Sequence, residues 1–133
     1  MVRVMIMVAL MASMTGSAGA KPAMRDVPQI DNGLFAVGLA DQIRRNCPDI
    51  SARFFRALTF LQSLEKTARD LGYTEAEIEA HLDSDVEKDR LRRRAATYMA
   101  DLGFDQNRDG YCALGRAEIA RNSRIGTLLR VSN

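Results

Sequence analysis

Four features of this 133-residue chain have residue types and spacings that could do chemistry: two cysteines, one aspartate-rich stretch, one arginine run and a single histidine. The stretch from Asp105 to Cys112 reads DQNRDGYC. Asp105, Asn107, Asp109 and Gly110 match the first half of an EF-hand calcium loop, which takes oxygen ligands at alternate positions and a glycine at its sharp turn. Tyr111 can add its backbone carbonyl. The second half does not follow, because Arg116 stands where the metal needs a bidentate carboxylate, and Glu118 lies too far along. The same residues make a helix-to-helix turn without an ion, since Asp and Asn form Asx turns and Gly110 permits a positive φ. Calcium is therefore the one cofactor the sequence raises, with a plain turn as the competing reading.

Arg90, Arg92, Arg93 and Arg94 are the second cluster. Guanidinium groups grip phosphate or acidic surfaces, so Arg90, Arg93 and Arg94 form a candidate anion or partner surface. On a helix, residues 92 to 94 fan over roughly 200°, and Glu87 and Asp89 are spaced to pair with Arg90 and Arg93. A solvated helix face is the competing reading. His81 is the only histidine, which excludes a histidine-pair zinc site and the H-E-x-x-H motif. No glycine-rich phosphate loop and no G-x-S-x-G occurs. No catalytic residue is assigned.

The N-terminus sets the compartment. Arg3, the apolar run Val4–Met11 and the small-residue end Ala18-Gly19-Ala20 read as a signal peptide cleaved near Ala20–Lys21. The apolar run is shorter than the roughly 20 residues that span a bilayer, and no later stretch is long enough. The mature chain is expected in the periplasm or secreted, with no transmembrane segment. Net charge is +2 for the whole chain, so there is no general attraction to nucleic acid. In an oxidising compartment the two cysteines are expected to join as a Cys47–Cys112 disulfide, worth about 4 kcal/mol by loop-closure entropy.

The elements that hold these residues follow from periodicity. Residues 21–31 carry two prolines and read as an extended arm. A first helix, capped by Asp31 or Asn32, is expected from Leu34 to Asn46, with Phe35, Leu39 and Ile43 inward. A second, capped by Asp49 or Ser51, carries Ile50, Phe54, Leu58, Leu61, Leu64, Ala68 and Leu71 to a stop at Gly72; Phe55 and Phe60 widen its apolar face and place it centrally. Thr74 to Glu77 is a capping box for a third helix with Ile78 and Leu82. Ser84 to Glu87 repeats the box, giving a kink or a fourth helix that stops at Gly103. The last helix is expected from Cys112 to Asn122, with Ala113, Ile119 and Ala120 inward. Arg116–Arg130 mixes basic residues with Ile119, Ile125, Leu128 and Leu129, and either folds back on the bundle or docks on a partner or anionic lipid surface. No stretch alternates with period two.

The segments DISARFFRAL, LGYTEAEIEA and CALGRAEIARNSRIG resemble the domain of unknown function 5333 family, small exported proteins of Rhodobacter-type bacteria. The likeness runs from about Ile30 to Arg130. It implies a signal peptide, a helical domain and a cysteine at both observed positions, without an assigned activity. The expectation is an all-α bundle of four or five helices over residues 32–133, clasped by one disulfide. Its role is read as a non-enzymatic binding or accessory module whose partner is an envelope protein or ligand. The alternatives are a calcium-responsive structural protein and a hydrolase without a recognisable motif.

Overall fold

The computed structural model describes residues 20–132. The expected signal peptide lies outside the described residues, apart from Ala20. In chain order the elements are a 3-10 turn (Met24–Asp26), α1 (Pro28–Asn46), β1 (Ile50–Ala52), α2 (Phe54–Asp70), α3 (Glu75–Asp83), α4 (Asp85–Asp101), α5 (Arg108–Ala120), α6 (Arg124–Thr127) and β2 (Leu129–Val131). The fold is mostly helical, as the hydrophobic periods imply, with one small sheet that they do not.

The first helix starts earlier than expected. Pro28 occupies its first turn, where a missing N–H is harmless and the fixed φ already suits a helix. This corrects the extended arm over residues 21–31. It also removes Asp31 and Asn32 as caps, because both now lie within α1. The helix packs against α2, α4, α5 and α6, so α1 and not α2 is the hub. Its Phe35, Leu39 and Ile43 are buried as expected, and they join Met99, Leu114, Leu128 and Leu129 in the main core. A smaller apolar cluster of Met24, Ile30, Ala68, Tyr73 and Ile78 fills the space beside α3.

The expected second helix is corrected at its start. Ile50–Ala52 is a strand that pairs antiparallel with β2, with Ser51 opposite Arg130. Ile50 is buried through that strand, and Arg53, not Asp49 or Ser51, precedes the helix without a side-chain cap. The chain turns at Arg53, so the stripe that looked continuous from Ile50 is broken there. The first turn of α2 swings outward: only Leu64 and Ala68 of this helix are buried.

The helix stops were legible. Gly72 (φ 92°) and Gly103 (φ 78°) take the left-handed conformation that ends α2 and α4, and the next amides reach back to Ala68 and Met99. Thr74 and Glu77 form the full capping box at α3. At Ser84 only half the box forms, because the Glu87 side chain is engaged elsewhere; the chain begins a new helix there.

The last long helix begins at Arg108, earlier than Cys112, so the second half of the aspartate-rich stretch lies inside it and residues 105–107 form the turn before it. Gly110 is needed there for close approach, not for a positive φ. A Cβ at Gly110 would stand 1.7 Å from the Asp105 carbonyl oxygen, well inside contact. Gly110→Ala is therefore expected to destabilise the protein by about 2–3 kcal/mol, seen as a lowered denaturation midpoint at unchanged cooperativity. The inward face of α5 is Tyr111, Cys112, Leu114, Gly115 and Glu118; Ala113 and Ala120 are exposed, contrary to expectation. The tail folds back: Ile125, Leu128 and Leu129 are buried, and the segment ends as β2 in place of a resumed helix.

Cys47 closes α1 and Cys112 sits one turn into α5. The two form the expected disulfide, with Cα atoms 5.1 Å apart. It fixes α5 against α1, and with it every polar group that α5 carries.

Candidate functional site

Among the described residues two buried carboxylates organise the polar interior, and the sequence reading placed neither of them inside. Glu118, on the inward face of α5, is 1% exposed. Its Oε1 accepts from the Tyr98 hydroxyl at 2.6 Å and from Arg121 at 2.7 Å; Oε2 accepts from Arg121 at 2.8 Å and from the Ser123 hydroxyl. Burial alone would push this carboxyl up. The hydrogen bonds from Ser123, Tyr98 and Arg121, with the Arg121 charge, outweigh it and hold the group below its ordinary value. Burial, and then the Glu118 hydrogen bond, push the Tyr98 hydroxyl up. The cluster ties α4 to α5 and to the start of α6. Its sequence signal was Glu118 at the i+7 position from Tyr111, on a face that also carries Leu114 and Gly115.

Glu87 is the second, at 5% exposure. One oxygen accepts from Arg25 and the other from Arg90 at 2.9 Å. Arg90 also donates to Asp31, which accepts from Arg94 at 2.9 Å, and Arg94 lies over the Phe35 ring at 4.1 Å. The expected anion surface therefore divides. Arg90 and Arg94 turn inward and bind α4 to α1, while Arg93 is exposed. Asp89 pairs with Arg92, not with Arg93.

His81 lies in the last turn of α3 beside this network. Its Nε2 is buried without a hydrogen-bond partner among the described residues. It lines a cavity of about 20 Å³ with Met24, Ile30, Leu34, Leu64 and Ile78, room for one water and not for a ligand. Burial, reinforced by the Arg90 and Arg25 charges and opposed by Glu87 and Asp31, pulls its pKa below the ordinary 6.5. As pH falls through 6.5 the unfolded chain takes the proton first, so the stability that neutral His81 allows is present above that pH and declines below it. His81→Leu is expected to raise stability by about 1 kcal/mol at pH 5.5 and to flatten the pH dependence of melting between pH 5 and 7.

The remaining candidates change character. The Asn107 side chain accepts from the Gly110 amide at 2.8 Å and caps α5. Tyr111 lies inside that helix, where its carbonyl is directed to an amide one turn on. Two of the four expected calcium ligands, Asn107 and Tyr111, thus serve the helix, while Asp105 and Asp109 remain exposed. Cys47, Cys112 and Asp49 come within metal-binding reach of one another, but the sulfurs are bonded together and offer no thiolate.

The most unusual surface is at the start of α2. Phe54 is 66% exposed, Phe55 80% and Leu58 42%. These three fall within about 100° of arc on the helix and form one face. The two rings meet edge to face at 5.5 Å, which fixes them relative to each other. Arg53 and Arg56 anchor the turn by donating to the carbonyls of Leu129 and Thr127, and Arg124 lies over the Phe60 ring at 4.7 Å. The sequence showed these aromatics but assigned them to the core. Among the described residues, no helix is long and apolar enough to cross a membrane.

Comparison with known proteins gives one family. The sequence model of a family of unknown function (DUF5333) matches residues 22–130. No curated protein and no solved structure matches the chain.

Proposed function

The chain belongs to the DUF5333 family, and from that premise we propose that it is a non-enzymatic binding module of the bacterial envelope. The observation that carries this reading is the Phe54–Phe55–Leu58 face, which leaves large apolar groups in solvent at the rim of a well-packed core. Apolar surface of this kind is retained where a partner covers it. The polar groups support the same division of roles. Both oxygens of Glu118 and of Glu87 are occupied by arginine or hydroxyl donors, which suits holding helices together and not proton transfer to a substrate. Export is supported by the N-terminal sequence and by a disulfide, which persists in oxidising compartments.

A photo-crosslinking residue placed at position 55 in producing cells tests the reading, with the exposed position 93 of α4 as reference. Adducts through 55 and none through 93 are expected. No adduct at 55, or turnover of an envelope substrate that depends on Glu118, Glu87 or His81, would overturn it.

A further inference from the structure

We propose that the occupant of the Phe54–Phe55–Leu58 face is an anionic phospholipid surface, with the rings entering at headgroup level and the neighbouring arginines meeting lipid phosphate. This deepens the reading above and rests on it. Charge selects this occupant. Residues 50–64 and 119–133 contain no aspartate or glutamate, and they carry five arginines. The fold brings the two segments together, through the β1–β2 pairing and through the Arg53 amide, which donates to the Leu128 carbonyl at 2.8 Å.

Four of those arginines, Arg53, Arg56, Arg124 and Arg130, pair with no carboxylate among the described residues. By contrast, both arginines of α1 and three of the four on α4 hold one. The acidic groups that immediately precede the two segments are both taken, Asp49 by Arg116 at 3.1 Å and Glu118 by Arg121 at 2.7 Å. The next along α2 is Glu65, about 15 Å from Phe55 by helix rise. That exceeds the roughly 8 Å screening length at physiological salt, so along α2 no carboxylate screens the arginines beside its first turn.

An exposed aromatic pair beside guanidinium groups whose charge no carboxylate answers matches an interface that is apolar beneath and anionic above. The rings project from the first turn of the helix. A bilayer receives such a projection without a complementary groove.

Sedimentation of the full chain with vesicles tests the proposal. One set is phosphatidylglycerol mixed with phosphatidylethanolamine, and the other is phosphatidylcholine alone. Binding is expected to the anionic vesicles, falling steeply between 0.05 and 0.5 M salt, and little to phosphatidylcholine, on the order of tenfold weaker. The double substitution Phe54→Ser/Phe55→Ser is expected to weaken anionic binding at least about tenfold with an unchanged melting temperature, since both residues are exposed. Arg56→Gln/Arg124→Gln is expected to weaken it and to reduce its salt dependence. Residues 1–19 are common to all these proteins, so the differences report on the face. Equal binding to both vesicle types, or undiminished binding by the phenylalanine variant, would overturn the inference. So would retention on polyglutamate without vesicle binding, which assigns the face to an acidic protein. If vesicle binding fails while adducts still form through position 55, the lipid assignment falls and the binding-module reading stands; if both fail, both fall.

Discussion

Replacing Cys47 and Cys112 together by alanine is expected to lower stability by about 4 kcal/mol and the melting temperature by about 15 °C. The residues are 65 apart, and opening so long a loop returns a large entropy to the unfolded chain. The bond also holds packed groups in place. Cys47 follows Ile43 at the end of α1, and Cys112 precedes Leu114 and Gly115 on α5; a Cβ on Gly115 would overlap Ile43 and Ile50. Since whole domains are stable by only about 5–15 kcal/mol, this loss is a large share of the total. Calorimetry of the variant, and of the wild type under reductant, checks it. A shift of about 2 °C or less would mean that packing alone holds α5 on α1.

Glu118→Ala is expected to cost about 3 kcal/mol, the second largest loss. It removes the acceptor for the Tyr98 and Ser123 hydroxyls and the partner of Arg121, and it opens space on the inward face of α5. Arg121 is half exposed and can return to water, which keeps the loss below that of a fully buried pair. Glu118→Gln keeps the shape and is expected to lose about half as much. The pH dependence carries the sign. A carboxyl held below its ordinary 4.5 in the folded state stabilises the protein fully above that value, and the contribution is lost as pH falls through the folded value. Denaturant midpoints of wild type and Glu118→Gln should therefore stay apart from neutral pH down to about 4.5 and converge as the pH falls further. Parallel curves would remove Glu118 from this role.

What the sequence disclosed was local. Two cysteines in a chain read as exported named the disulfide, Thr74 and Glu77 named the start of α3, and Leu71-Gly72 named the stop of α2. Each is set by residues within one turn of one another, or by counting. What it did not disclose depends on distant partners. Ile50–Ala52 is too short to show a period of two, and it is a strand only because residues 129–131 lie alongside. Without that pairing, Ile50 reads as the first apolar residue of α2, and the whole helix then looks central. The inward face of α5 is fixed by Cys112 against α1, and only once that face is known does Glu118 fall inside.

Arg90 and Arg94 illustrate the same limit. Spacing along one helix predicted the Glu87–Arg90 pair, which forms. It could not anticipate that Asp31 and Asn32, read as caps, would lie in an earlier-starting helix facing those arginines. For the aspartate-rich stretch the turn between helices forms at residues 105–107, while the cap at Asn107 starts α5 within the stretch, earlier than the periodicity implies.

The proposed division of labour is that buried polar groups hold the fold while the aromatic face at the start of α2 meets a partner. The most direct test measures melting temperature and the fraction of protein sedimenting with the envelope of producing cells, for Glu118→Gln beside Phe55→Ser. Glu118→Gln should melt lower with unchanged association below its melting point, and Phe55→Ser should keep its melting temperature and lose association. The reverse pattern would contradict the account, placing the working surface at Glu118 and leaving the exposed phenylalanines without a role.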